Sequence, residues 1–308
     1  MRVDHWFKNV FVLPGILAAI GTDPSHLVPH AFRRVAVGML SVCIVASSNY
    51  VINEILDAPY DRLHPIKCTR PVPSGKVNVR LGYAQWLALM ALGLWLATTV
   101  SLRFTATMAA LWLMGCVYNI PPIRSKDFPY LDVISESVNN PLRLLAGWFM
   151  VASASVAPAS LLLSYWMVGS YFMAMKRLAE YREIGDAARA AAYRRSFGGY
   201  SENRLLVSIT FYGCAAMLFL GAFIMRYRLE LILAFPLIAL VMAMYMMLAL
   251  KPNGTVQRPE GLYREPALMA AVFVCAVVIG VLTVVSIPGL SYLVSPTAPT
   301  IADRCTRR

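Results

Sequence analysis

Three oxygen-bearing side chains, Asn53, Asp57 and Asp61, recur at four-residue intervals in NYVINEILDAPYDRLHPIKCTRPVPSGK. On a continuing helix this spacing puts them on one face. Oxygen ligands of this kind suit Mg2+, which takes one or two carboxylates and completes its octahedron with water and substrate phosphates. Glu54, one step round the same helix, is a candidate outer or direct ligand. Pro59 is expected to kink or end the helix near Ala58. Directly downstream, Arg62, Lys67, Arg70 and Lys76 lie in a loop punctuated by proline and glycine. Carboxylates beside a basic loop form the pairing that a metal-bound diphosphate requires: acids hold the metal and bases neutralise phosphate oxygens. For Arg62 and Lys76 a merely solvated loop position is an equal alternative, and His64, beside Pro65, is read as shaping the loop.

A second constellation stands in VYNIPPIRSKDFPYLDVISES, where Asp132 and Glu136 are again four residues apart, preceded by Arg124, Lys126 and Asp127. Asp132 also suits the N-terminus of a helix, where the dipole favours an acid. Asn139, Asn140 and Arg143 follow, either as hydrogen-bonding groups between helices or as a lining for an anionic substrate. Arg143 is read as lining. The two acid pairs, separated by two apolar segments, have the look of a weak internal duplication.

The elements that must position these residues are apolar. The chain has 308 residues, 58% hydrophobic and only 14% charged, with a mean hydropathy of +0.60. A soluble domain carries about 25% charge, so the composition excludes an ordinary cytosolic enzyme, a disordered chain and a disulfide scaffold. Nine apolar segments run near 7–22, 35–56, 81–101, 104–120, 131–152, 158–178, 204–225, 230–250 and 266–287. The expected fold is therefore all-α, a polytopic membrane bundle of about nine transmembrane helices in one domain over 1–308. Pro14 interrupts the first segment, and the start lacks the features of a cleaved signal peptide, so that segment is expected to be retained. The six cysteines form no CxxC or Cys/His cluster, which leaves no redox or thiolate-metal motif.

Charge sets the expected orientation. The N-terminus and the loops 57–80, 121–132, 176–203 and 251–265, with their flanks, hold 19 of the 28 Lys and Arg residues; the opposite face holds 8. Basic loops mark the cytoplasmic side, which places the N-terminus and these loops inside the plasma (inner) membrane and the C-terminus outside. The net charge of +12 then reflects topology and anionic lipid or phosphate ligands, with no nucleic-acid partner. Only Asp23, Glu230 and Asp303 of the acids fall on the outer face, and the insertion rule does not ask acids to gather on the basic side. Chemistry does. After the sixth segment, 180–196 is expected to form one amphipathic surface helix, ended by Gly198 and Gly199, with Arg194 and Arg195 at lipid headgroups. Glu180 is placed to hold Lys176 or to face the site, and 289–308 is expected to be a mobile tail.

Taken together, the segments and both acid motifs resemble the UbiA superfamily of intramembrane transferases. The superfamily's NDxxDxxxD motif corresponds to Asn53-Glu54-x-x-Asp57-x-x-x-Asp61, continued as His64-Pro65-Ile-Lys67-Cys-Thr-Arg70-Pro71-Val-Pro-Ser-Gly75, and its DxxxD pair to Asp132 and Glu136. The opening Arg2-Val-Asp-His-Trp6-Phe-Lys8-Asn9 and the segment Met175-Lys176-Arg177-Leu-Ala-Glu180 are similar to the polyprenyl-phosphate phosphoribosyltransferase branch. Glu54 replaces the usual Asp, and YNIPPIRSK matches prenyltransferase members more generally. The resemblance implies Mg2+-dependent transfer of a 5-phosphoribosyl group from phosphoribosyl diphosphate to a polyprenyl monophosphate such as decaprenyl phosphate. In that reading Asn53, Asp57 and Asp61 hold the metal, and Lys67 and Arg70 clamp the diphosphate. Lys8, Asn9, Lys176 and Arg177 hold the acceptor phosphate, and Asp132 and Glu136 hold a second metal or the ribose hydroxyls. The alternative is an aromatic prenyltransferase using a polyprenyl diphosphate; a transporter is the reading from a different class. Membrane lipids surround the bundle in each case, and a homo-oligomer is left open.

Overall fold

Prolines and short polar side chains set most helix boundaries in this chain. Asn78, Ser101, Asp186 and Ser201 each cap a helix by accepting from the backbone N–H two or three residues on. Pro14, Pro236 and Pro266 stand in first turns, where a missing N–H costs nothing. The computed structural model describes residues 3–26, 28, 31–62, 67–251, 256, 262 and 264–290. Among them are eleven α-helices and no strand: α1 Leu13–Thr22, α2 Ala31–Asp61, α3 Val79–Thr98, α4 Leu102–Asn119, α5 Leu131–Ser137, α6 Asn139–Val151, α7 Ala159–Ile184, α8 Ala187–Tyr193, α9 Glu202–Tyr227, α10 Phe235–Leu250 and α11 Pro266–Val284. A 3-10 helix, Val3–Val12, precedes α1.

The all-α membrane architecture is as expected, and each apolar segment falls on helical structure. By length and composition alone, five stretches suffice to cross a bilayer: α2, α3, α9, Leu229–Leu250 and α11. A count of nine crossings is therefore not established by the helices themselves. Exposed Trp95, Phe211, Leu218, Phe273 and Val284 give the outer surface the apolar character of a lipid-facing wall.

Several local expectations are corrected. Pro59 does not end α2, which continues to Asp61 with Arg62 N–H donating to Ala58 C=O at 3.1 Å. The lost hydrogen bond falls within the last turns, so Asn53, Asp57 and Asp61 stay on one helix. Segment 131–152 is not one helix but breaks at Val138, where Pro141 lacks the N–H that would bond Ser137. The surface helix expected over 180–196 is instead the end of α7, a left-handed Gly185 at φ 70°, the short α8 and a 3-10 turn, Arg195–Gly199. Residues 291–308 lie outside the described residues, as does most of 252–263.

Two apolar cores hold the bundle. One joins α1, α2, α4 and α6 through Val12, Val45, Phe104, Met108, Leu144 and Met150; the other joins α5, α7, α9 and α10 through Val133, Met175, Leu178, Leu205, Ile209 and Met242. The tightest crossing is α1 against α6, where a Cβ on Gly15 would overlap the Leu144 carbonyl and a Cβ on Gly147 would overlap that of Val12. Reciprocal glycines let two backbones touch, which is how helices associate where lipid supplies no hydrophobic drive. Gly147→Ala should cost about 1–3 kcal/mol through overpacking, read as a lower thermal midpoint in detergent. Gly221→Ala, whose Cβ meets nothing within 4 Å, should leave the midpoint unchanged or slightly raised.

Candidate active site

The C-terminal ends of α2, α4 and α7 and the N-terminal ends of α5 and α9 meet at one end of the bundle, and both acid motifs lie there. Asp57 Oδ1 accepts from Lys126 Nζ at 2.6 Å and from an Arg124 terminal nitrogen at 3.1 Å. Lys126 also donates to Asn119 Oδ1 at 2.9 Å, and Asn53 Nδ2 donates to the same oxygen at 2.6 Å. Asn119 is fixed in turn by donating to Gly115 C=O at 2.9 Å. The buried Lys126 ammonium is pushed down by burial, opposed by the Asp57 carboxylate.

The turn carrying these cations is strained at both ends: Arg124 has φ 27° and Tyr130 φ 64°. Non-glycine residues hold such backbone only where their surroundings over-determine it. Here Arg124 contacts Asp57 and Asp127, its charge lies 5.6 Å from the Tyr60 ring centroid, and Ser125 hydrogen-bonds Ser135 of α5 at 2.7 Å. The sequence reading set Arg124 and Lys126 before the second acid pair without assigning them a role and did not single out Asn119; their signal is that the YNIPPIRSK turn returns α4 to α2.

One turn further along α2, Arg70 pairs with Asp61 at 2.6 Å. Glu54 Oε1 accepts from Val72 N–H at 3.0 Å, while Val72 packs on Ile55 and Ala58. Glu54 thus ties the loop to the helix. Arg62 and Lys76 are exposed. The side chains of Lys8 and Lys67, and all of His64, lie outside the described residues.

Asp132 was expected to face a substrate or a second metal; the structure places it fully buried with both oxygens taken. Oδ1 accepts from Tyr200 OH at 2.7 Å, and Oδ2 from Arg177 Nε at 2.9 Å and Ser196 Oγ at 3.1 Å. Burial, and then Asp132, push the Tyr200 phenol up, so it stays a donor. Its oxygen also accepts from the Tyr130 N–H at 2.6 Å, which supports the strained Tyr130 backbone. Arg177 continues to Glu180 at 2.8 Å, so Glu180 holds Arg177 and leaves Lys176 with no ion pair among the described residues. Glu136 is half-buried and has no hydrogen bond or ion pair among the described residues; its charge and that of Glu180 reach Lys176.

Arg194, expected at headgroups, instead turns inward: it donates to Ser196 at 3.1 Å and Tyr118 OH at 3.1 Å and lies 3.7 Å from Asp132. Lys126 lies 5.8 Å from the centroid of the same Tyr118 ring. Tyr118 therefore joins the two constellations. Arg195 is exposed, 3.5 Å from Asp127. Deeper in the bundle, Asn9 is buried and donates to Cys43 Sγ at 3.1 Å. Asn140 packs against Gly169, where a Cβ would overlap its amide.

Among the described residues no three His, Cys, Asp or Glu side chains converge to hold a metal. The oxygens at the end of α2 fit a metal of a particular kind: one that takes two protein carboxylates and completes its shell with phosphate and water, as Mg2+ does. The cations already resting on Asp57 and Asp61 fit the anion that such a metal would bring.

Residues 9–263 match the UbiA prenyltransferase family. The decaprenyl-phosphate phosphoribosyltransferase of Mycolicibacterium smegmatis is 29% identical over 215 residues, covering 67% of this chain and 62% of that protein. The enzyme of the same name from Corynebacterium glutamicum is 30% identical over 218 residues, covering 67% and 60%. The chain thus spans about three-fifths of the length of these curated relatives. A UbiA homolog from Archaeoglobus fulgidus, solved bound to DMAPP and Mg2+, superposes with a TM-score of 0.67 at 20% identity, over 91% of this chain and 97% of that one.

If Asp132 closes this end of the bundle, its neutralisation should cost far more than loss of one partner. Asp132→Asn, which weakens the answer to a buried Arg177, should cost about 3–5 kcal/mol. Tyr200→Phe, which removes one hydrogen bond, should cost about 1–3 kcal/mol. Unfolding by sodium dodecyl sulfate in mixed micelles measures both, and equal losses would remove Asp132 from the centre of the network.

Proposed function

Since this chain belongs to the UbiA prenyltransferase family, we propose that it is an integral-membrane transferase that moves a 5-phosphoribosyl group from phosphoribosyl diphosphate to a polyprenyl monophosphate. The observation that carries the reading is the presence of two separate cation sets. Arg70, Arg124 and Lys126 lie on the carboxylates of α2, and Lys176 pairs with neither of these carboxylates and has no ion pair among the described residues. A diphosphate donor meets the first set and the phosphate of an acceptor the second, to which 4-hydroxybenzoate would bring only a single carboxylate charge. The names of the mycobacterial and corynebacterial relatives agree with this choice.

In this mechanism Mg2+, held by Asp57, Asp61 and Asn53, supplies charge neutralisation on the diphosphate when bound. Arg70, Arg124 and Lys126, with Lys67, hold the diphosphate oxygens as the bond from ribose C1 breaks. Lys176 positions the acceptor phosphate, whose oxygen forms the new bond to C1; Asn9, which bonds Cys43 deeper in the bundle, is not part of this contact. That oxygen is already anionic, so no general base is needed, and diphosphate leaves with the electron pair of the broken bond. Arg177, engaged by Asp132 and Glu180, orients the segment that carries Lys176. Glu136 is left to accept from a ribose hydroxyl. The soluble donor and the basic loops support the cytoplasmic face of the plasma membrane as the side on which this end lies.

Asp57→Asn should lower turnover at least 100-fold while the protein remains folded, with labelled phosphoribosyl diphosphate followed into the lipid fraction in detergent with Mg2+. Label entering 4-hydroxybenzoate from a prenyl diphosphate, and none entering lipid from phosphoribosyl diphosphate, would replace this reading with aromatic prenylation.

A further inference from the structure

Arg143 stands apart from every other cation described above. It sits in α6 about 18 Å of helix from the start of α5, by the rise per residue, against a hydrocarbon core of roughly 30 Å. An arginine side chain at that depth is too short to reach the interface. It makes no hydrogen bond or ion pair with any described residue, and its Nε is sealed from solvent without an acceptor. Its charge reaches the Cys43 thiol on α2 and the Tyr165 phenol on α7.

One turn earlier on the same helix, Asn139 carries a buried side-chain oxygen with no donor. Residues four apart on a helix lie on one face, so an orphan donor and an orphan acceptor stand together. Both are expensive in a membrane interior unless something answers them. A ligand that does so has an anionic oxygen for Arg143 and a hydroxyl for Asn139. A phosphate monoester supplies the anionic oxygen, and the fraction that keeps its second proton, with a pKa near 6, supplies the hydroxyl.

We infer that Arg143 and Asn139 form a separate subsite, deep among α2, α6 and α7, that binds the monophosphate end of a substrate. The subsite follows from the orphan groups alone. The identity of its occupant rests on the function proposed above: the 5-phosphate of the donor would leave the acceptor phosphate with Lys176, whereas the acceptor phosphate bound here would take that role from Lys176. This ligand needs no metal, because a guanidinium takes two oxygens of a phosphate by itself.

The test is binding to the full chain in nanodiscs with EDTA present, so that the site at Asp57 and Asp61 contributes no metal. Ribose 5-phosphate and farnesyl phosphate are the two probes, measured calorimetrically against the wild type, Arg143→Met and Arg143→Lys. One probe should bind the wild type, weaken at least about tenfold in Arg143→Met as loss of a charged hydrogen bond predicts, and recover partly in Arg143→Lys. The probe that behaves so identifies the source. Arg143→Met should also melt at the same temperature or higher, because it removes an unanswered charge from an apolar region. A lower midpoint would make Arg143 structural and overturn the proposal, as would equal binding by wild type and Arg143→Met, or binding of neither probe. Arg143-dependent binding of 4-hydroxybenzoate alone would overturn both the phosphate assignment and the function it rests on. Loss of ribosyl transfer activity with phosphate binding intact would overturn the function only.

Discussion

A carboxylate shut away from water must be answered at each of its oxygens, and this chain meets that demand at Asp132. The three groups that answer it come from distant parts of the sequence: Arg177 from α7, Ser196 from a 3-10 turn and Tyr200 from the approach to α9. Satisfying them folds the segment between α7 and α9 back across the end of the bundle. Once there, the segment delivers Arg194 to Tyr118, and the Tyr118 ring lies beside Lys126, which holds Asp57. A single buried charge thus sets the positions of groups on α2, α4, α5 and α7 and on the turns between them. The cost of desolvating Asp132 and Arg177 is repaid only with all partners in place, which makes the closed arrangement specific.

The same electrostatic logic separates the two acid motifs, which look alike in sequence. Around Asp57 the carboxylate is partly open and its cations come from a turn whose backbone is strained, while Asp61 one turn on is buried against Arg70. Around Asp132 everything is enclosed. The first arrangement can exchange partners when an anion arrives; the second holds its geometry. A diphosphate is well matched to the first, because the cations it needs are already gathered there and the carboxylates they leave are the ligands its metal requires. Family membership accounts for the fold, while the proposed transferred group rests on the cations around these acids.

Much of this was legible in the sequence because it rests on local periodicity. The four-residue spacing of Asn53, Asp57 and Asp61 survives Pro59, since one missing hydrogen bond near the end of a long helix does not rotate the residues before it. The apolar segments mark helices wherever a hydrophobic run is all that position requires. What was not legible depends on long-range closure. Lys126 and Asn119 read as loop and helix-end residues until α4 is packed on α2, and Arg194 reads as a surface arginine until Asp132 is buried. Glu54 looked like a ligand by proximity along the chain, but the nearest unpaired N–H was that of Val72. The break at Val138 was misjudged because a proline three residues into a helix is normal, whereas its effect on the residue four positions earlier appears only when the two helices are seen as one interrupted rod.

The crossing of α1 and α6 also carries a consequence for the order of events during synthesis. Gly15 and Gly147 fit only against each other's helix, yet more than a hundred residues separate them. At ribosomal speeds that interval is on the order of ten seconds. Throughout it, the first helix has left the ribosome with its backbone-contact face uncovered, and α2 through α5 must be laid down around the space it will share. A helix that waits this long is exposed to chaperones, translocon lipids and wrong neighbours. The bare glycine stripe that makes the final fit so close is, until α6 arrives, the part of the nascent chain most open to capture.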